Sequence, residues 1–477
     1  MSYSFLKNYS NHYLPLIKLG LPIIVGQIGT IVLSFADTLM VGHHTTPELA
    51  AAAFVSGIIN LFIIFGQGYS YGLSPIIGEC FGARKYREAG ASLRGSIVVN
   101  SLMSGGIVFF LMLIYANLGH MGQPDELMKY IGPFFLLQVI SIPFVMLFFS
   151  FKQFADSITD TKISMWILLG GNLFNIVSNY FLIYGNFGAP ELGLLGAGIS
   201  TLVARILMLA VFALIFLKSK RYVRYLPGFY FEKVTHELLH KLNVLGWPIA
   251  MQMGMETAAF SLSTVMIGWL GTVSLAAHQV TLTISQICYM IYYGLGTAIS
   301  VRVSYFKGMN DYKNVRDSTY CGFRLMMCLV VITSTIVIVF SHQLAALFTT
   351  SEDVQQMIGL LIYPLLIYQF GDGLQITFAN ALRGISVVKP MMYIAFVSYF
   401  LVSLPLGYFL GIVLHWGTLG VWMAFPFGLT TAGLLYYKAF HHYMHEQAQS
   451  VGGSNYHESG SIYDEGKVRK FVHTRNV

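Results

Sequence analysis

The sequence predicts an all-α membrane protein: twelve transmembrane helices in two six-helix lobes, related by a pseudo-two-fold axis along the membrane normal. Three observations lead there. The chain of 477 residues is 55% hydrophobic and only 10% charged, with mean hydropathy +0.64, where soluble domains carry about 25% charged residues. Its apolar residues fall into runs near the roughly 20 residues that a bilayer core requires. Landmark residues of the first half recur in the second at one fixed offset.

The runs place spans near 14–41, 49–78, 95–117, 127–151, 163–184 and 194–217, then near 243–270, 274–304, 319–341, 355–382, 391–413 and 420–440. Linkers such as "HHTTPE", "GHMGQPDE" and "TTSEDV" carry no Lys or Arg, whereas "GARKYREAGASLRG", "KSKRYVRYLPG" and "KGMNDYKNVRD" are basic. Lys and Arg gather on the cytoplasmic side, so both termini are expected there. The net charge of +7 is thereby a topology signal, and nucleic acid is not an expected partner. The opening residues lack the short apolar core and cleavage site of a secretory signal, so the first run is read as a retained span. Cys80, Cys288, Cys321 and Cys328 sit in or beside apolar runs without metal-ligand spacing and read as small packing residues. The expected domains are 1–232, the first lobe with the inter-lobe linker; 233–446, the second lobe; and 447–477, a polar cytoplasmic tail expected to be disordered.

The recurrence is visible in "LGLPI" at 19–23 and "LGWPI" at 245–249, an offset of 226. Without gaps it also pairs Met40 with Met266, Gly42 with Gly268, Gly68 with Gly294, Ser74 with Ser300, Gly82 with Gly308 and Tyr86 with Tyr312. Six spans per half is an even number, so both halves enter from the same side. Parallel repeats of that kind share an axis along the membrane normal.

Three acids lie well inside spans: Asp37, Glu256 and Asp372. An ionisable group there costs roughly 2.5–3.5 kcal/mol on insertion scales, so it usually faces an interior and functions. Each acid lies on a polar stripe at helical spacing. Gln27, Thr30, Ser34 and Asp37 share a face of the first span. Asn172, Asn175 and Asn179 share one on the fifth, Gln252 and Glu256 (with Ser263 nearby) on the seventh, and Tyr368, Asp372 and Gln375 on the tenth. Amides on membrane helices often act only as interhelical glue, at about 0.6 kcal/mol per bond. For the acids glue is a poor account, because Asn would serve at lower desolvation cost. Trp269 and His278 read as packing. Arg205, mid-span and one turn beyond Thr201, either snorkels or partners an acid of the first lobe. Protonation, Na⁺ binding and an organic cation all neutralise the same carboxylate, so ion and substrate should compete, and antiport requires such competition.

"ADTLMVG" with Asp37, "YGNFGAPELGLLGAGISTLVAR", "MGMETAAF" with Glu256, "YQFGDGLQITFANALRG" with Asp372 and "GARKYREA" resemble the multidrug and toxic compound extrusion (MATE) transporters, nearest to the bacterial drug-efflux branch. The resemblance spans about residues 10–440. It implies two six-helix lobes around a V-shaped cleft in a bacterial inner membrane, working as a monomer, and export of cationic or amphipathic drugs in exchange for Na⁺ or H⁺, with no cofactor and no enzymatic activity. It implies a first-lobe cation site at Asp37, Asn175, Asn179 and Thr201, and a second-lobe site at Glu256, Asp372 and Tyr368. Gln27, Thr30, Ser34, Gln252 and Gln375 would support these sites. Na⁺ would sit at Glu256, Asp372 or Asp37. One branch of the family carries an aspartate where this chain has Asn179, so a single carboxylate would serve the first lobe. Aromatic residues at 15% and twenty-two methionines suit apolar cations of varied shape, although most of them serve packing and lipid contact.

Other classes fit less well. "QFGD" ending at Asp372 approximates the motif of intramembrane aspartyl proteases, but Gln369 replaces its first Gly. A channel would need a re-entrant filter. A flippase for lipid-linked or polysaccharide precursors shares the two-lobed architecture, yet should line its cavity with cations, and only Arg205 argues that way.

Overall fold

In the computed structural model, residues 2–122, 124–188 and 190–458 are described. Among them stand twelve long helices: α1 Ser2–His44, α2 Thr46–Ser70 continued by Leu73–Gly82, α3 Tyr86–Ala116, α4 Asp125–Ser157, α5 Thr161–Tyr184 and α6 Leu194–Lys218. The second set is α7 His236–Gly268, α8 Thr272–Gly308, α9 Tyr312–Val339, α10 Glu352–Gly384, α11 Lys389–Val413 and α12 Gly417–Glu458. Every expected span has its helix. Eleven are long and apolar enough to cross a membrane by that measure. The other, α7, has the length, but Gln252, Glu256 and a Thr/Ser-rich second half dilute its apolarity.

Local chemistry sets several boundaries. Thr45 accepts from the Glu48 amide at the start of α2, with Pro47 in the first turn, as N-caps do. Thr235 caps α7 and Asp311 caps α9 in the same way. In α11, Phe396–Ser403 and Phe409–Val413 are π-helical on either side of Pro405, whose missing N–H breaks the regular ladder. Helix α12 runs past residue 446 to Glu458. Residues 459–477 of the expected tail lie outside the described residues. The inter-lobe linker contains a short helix, Leu226–Phe231, and docks on the first lobe: Arg221 pairs with Asp160 at 2.7 Å and Arg224 lies 4.3 Å over the Tyr86 ring.

The repeat is written into the contacts between lobes. A Cβ on Gly68 of α2 would lie 2.9 Å from Ala250 Cα of α7, and one on Gly294 of α8 would lie 2.9 Å from the Ile24 nitrogen of α1. Those two contacts map onto each other under the 226-residue offset. So do Gly72 against Gly246 and Gly20 against Ala298. Other contacts join a residue to its own mate: Gln67 donates to Tyr293 at 3.4 Å, Gly78 abuts Ser304, and a Cβ on Gly82 would lie 3.3 Å from Gly308 Cα. A residue that touches its own mate lies on the symmetry axis. The axis therefore runs along the parallel α2–α8 seam, as the even helix count requires.

These seam contacts occupy the half of the bundle nearer the Lys/Arg-rich linkers, here termed the basic end. There Lys307 of α8 donates to Glu79 of α2 at 2.6 Å and to the Ile385 carbonyl at 2.7 Å. The Ser386 hydroxyl donates to the same Glu79 oxygen at 2.7 Å. The lobes are closed at this end.

Candidate functional site

In the first lobe the Asn stripe of α5 is buried throughout and turned toward α1. Asn179 Nδ2 donates to Asp37 Oδ1 at 2.6 Å. The Asn175 amide lies between Asp37 and Thr201; with its nitrogen toward Asp37 Oδ1 (3.0 Å) and its oxygen toward the Thr201 hydroxyl and N–H (3.2 Å each), both ends are satisfied. The Thr201 oxygen also lies 2.9 Å from the Ala197 carbonyl, so its single proton serves one of these two acceptors. Asp37, Asn175, Asn179 and Thr201 thus form one cluster across α1, α5 and α6. Asn179 Oδ1 is buried without a partner among the described residues. A free carbonyl oxygen beside a carboxylate is a fitting ligand for a hard cation, which prefers oxygen.

The rest of the α1 stripe departs from expectation. Thr30 and Ser34 are exposed, and Thr30 returns its hydroxyl to the Gly26 carbonyl at 3.2 Å. Gln27 is half-buried. Asn172 lies one helical turn away against Gly29, 3.5 Å from where that residue's Cβ would be. Arg205 neither snorkels nor pairs directly with an acid: it donates to Gln138 Oε1 at 3.0 Å and to the Ser141 hydroxyl, both on α4.

In the second lobe Glu256 accepts from Gln252 at 2.9 Å and from Gln375 at 3.2 Å. The Gln375 oxygen accepts from Tyr399 at 2.9 Å. Asp372, one turn from Gln375 on α10, is 1% exposed, and its Oδ2 has no partner among the described residues. Tyr368 is buried, receives a hydrogen bond from Ser285 at 3.2 Å and stands edge-on to Phe260 and Phe425. All five predicted second-lobe residues therefore face one interior. His278 accepts from Trp422 and contacts Thr264, a packing role as expected. Ser263 bonds its own helix at the Ala259 carbonyl.

Four further residues belong here. Gln369 accepts from Tyr292 (2.8 Å), Ser334 (2.9 Å) and Thr333 (3.3 Å), fixing α10 against α8 and α9. A cavity of about 30 Å³ adjoins Glu256, lined also by Gln252, Gln375, Asn380 and Arg383, enough for a water or a small ion. Arg383 is buried, donates to Asn380 at 3.2 Å and lies 4.6 Å over the Tyr71 ring of the first lobe. Arg383, the one cation lining this cavity among the described residues, is thus also an inter-lobe contact. The stripe Tyr368, Asp372, Gln375, continued by two steps of four, reaches Ala379 and Arg383, so helical periodicity held that signal. For Tyr399 on the π-helical stretch, spacing held none.

Two carboxylates are therefore held by neutral amide donors or by nothing, in an interior of oxygen atoms and aromatic rings. Such an arrangement gains free energy when a cation or proton arrives.

The MatE family model matches residues 22–181 and 248–409, one block in each lobe. A probable multidrug resistance protein NorM of Mannheimia succiniciproducens is 31% identical over 436 residues, covering 89% of this chain and 93% of that protein. The multidrug resistance protein NorM of Vibrio cholerae is 28% identical, covering 88% and 93%. Among solved structures, a mutant of the Vibrio cholerae MATE transporter VcmN superposes with a TM-score of 0.84 at 17% identity, over 92% of this chain and 98% of that one. A eukaryotic MATE transporter, AtDTX14, gives 0.82 at 18% identity, over 93% and 99%. At those identities the structures speak for the fold.

Proposed function

The chain belongs to the MatE family, and from that premise we propose that it is a secondary active antiporter that exports cationic or amphipathic drugs in exchange for Na⁺ or H⁺. It is a multi-pass membrane transporter and not an enzyme, so the protease reading of "QFGD" is set aside. The observation that carries the exchange is Asp372, a fully buried carboxylate whose Oδ2 has no partner among the described residues, in the same interior as Glu256. A carboxylate in that position is tolerable when neutralised, and an entering ion and a leaving organic cation can neutralise it only in turn. Oxygen ligands without a competing fixed base in hydrogen-bond contact favour Na⁺ as the driver.

Alternation follows from the fold. In the present arrangement the basic end is sealed along α2 and α8. Opening the basic end means parting Glu79 from Lys307 and separating the lobes about the shared axis. A ligand can shift that balance only through different affinity for the two packings. Rearrangement of Gln375, Arg383 and Tyr71 on ion arrival supplies such a difference, because those residues join the second-lobe site to the first lobe.

By the distribution of basic linkers, the basic end is assigned to the cytoplasm of a bacterial inner membrane, with both termini inside and the monomer as the working unit. The alternative of a precursor flippase had Arg205 as its cationic residue, whose Nη1 donates to Gln138 and Ser141 on α4. The deciding experiment is ethidium efflux from vesicles with Na⁺ and pH gradients imposed separately. A response to neither would remove the antiport reading.

A further inference from the structure

A second cavity, of about 400 Å³, lies at the basic end between α1, α8 and α9, away from both acid clusters. It is lined by Asn11, His12, Arg302, Phe306, Lys313 and Asn314, with Asp317 on its wall. Arg302 is its most constrained member. The guanidinium lies 5.0 Å over the Phe306 ring. One Nη donates to His12 Nδ1 at 3.3 Å, while its Nε is buried without a partner among the described residues. A guanidinium has donors only, so His12 Nδ1 is the acceptor in that bond and its other nitrogen carries the proton. Arg302, Lys313 and the Asn11 amide thus line one space with donors, while the remaining His12 nitrogen bonds the Asn314 side chain. Two carboxylates stand by it: Asp317, with Arg316 at 3.8 Å, and Asp311, which accepts from the lining Asn314 at 2.6 Å. In the first lobe the repeat mate of Arg302 is Ile76, a buried apolar residue. The charge is an addition that packing of this fold does not itself require.

We propose that this cavity binds a phosphate-bearing anion, either the headgroup of an anionic phospholipid or a soluble phosphate. A planar guanidinium with free donors matches a phosphate's paired oxygens. The volume far exceeds that of a halide. Basic pockets between membrane helices on the Lys/Arg-rich side are where anionic headgroups bind. The site also spans the lobes: Asn11 and His12 are on α1 of the first, and Arg302 and Lys313 are on α8 and α9 of the second. A bound anion therefore ties the lobes where they are already closed.

The test compares the purified wild type, R302Q and K313Q in nanodiscs of phosphatidylcholine, alone, with phosphatidylglycerol included, or with inorganic phosphate added at matched ionic strength. Lipid retention is read by native mass spectrometry and stability by the thermal midpoint. The expected result is phosphatidylglycerol retention that falls about fivefold with each charge removed, near the effect of one basic residue at a membrane surface. A phosphate-induced rise in midpoint that is lost in both variants would support the proposal with a soluble source. Lys313 is exposed, so K313Q folds even where R302Q does not. Equal responses of the wild type and K313Q to both additions overturn the proposal.

Discussion

Gln375 holds Glu256: its amide nitrogen donates to the carboxylate at 3.2 Å while its oxygen receives the Tyr399 hydroxyl. The amide is oriented by one neighbour to serve the other. A hydrogen bond to a charged group is worth roughly 1.5–3 kcal/mol. Removing it with Gln375→Leu leaves the carboxylate more dependent on an arriving cation. The half-saturating Na⁺ concentration for efflux should then fall by about tenfold, the equivalent of 1.4 kcal/mol. A Na⁺ titration of ethidium efflux measures this, and an unchanged or raised half-saturation would show that the amide does not restrain the site.

Glu256→Gln and Asp372→Asn each keep shape and hydrogen-bonding capacity while removing the charge. Both should abolish efflux from energised vesicles with the protein still present in the membrane. Transport at wild-type rate in either variant would remove that carboxylate from the mechanism.

If ion and drug neutralise one charge in turn, the apparent affinity for an organic cation should weaken in proportion to Na⁺ once Na⁺ exceeds its own dissociation constant. Ethidium binding to the purified protein at constant ionic strength provides the measurement. A curve indifferent to both Na⁺ and pH contradicts direct competition.

In the first lobe, Asp37→Asn replaces the acceptor of the Asn179 bond with a neutral amide. The fold should survive, since Asp37 is bonded only to polar groups that an amide can also serve. Efflux should drop at least tenfold if occupancy of this acid biases the lobe between packings. Thermal unfolding in parallel with efflux separates a lost switch from a lost fold.

At Gly308 the seam has no room for a side chain. A Cβ on Gly308 would collide with the Glu79 carbonyl, whereas one on Gly105 would meet nothing within 4 Å. Gly308→Ala should therefore lower stability by roughly 1–3 kcal/mol, as overpacking does, while Gly105→Ala leaves it unchanged. Thermal midpoints of the two variants in one detergent decide this.

Much of the molecule was legible because the bilayer imposes simple rules. Apolar runs, basic linkers and the 226-residue recurrence all follow from one solvent, and the contacts Gly68–Ala250 and Gly294–Ile24 repeat that recurrence residue by residue. The acids were legible because charge in oil is expensive. What escaped was set by tertiary detail. Thr30 and Ser34 lie on the helical face of Asp37 but are exposed, since a stripe records direction and not the distance to the next helix. Gln369 looks like an ordinary amide until Tyr292, Thr333 and Ser334 converge on it. Arg383 lies just past the span expected to end near 382, yet it is buried against Tyr71. The slip of α11 into π-helix around Pro405 depends on backbone hydrogen bonding that no side-chain pattern encodes.

Along the α2–α8 seam, Gly78 and Ser304, and likewise Gly82 and Gly308, stand opposite their own counterparts. An axis along the membrane normal exchanges the two halves but never the two membrane faces. The recurrence therefore leaves each half free to keep its own ligand set, one acid in the first and two in the second, and leaves the direction of pumping to the gradients imposed across those faces.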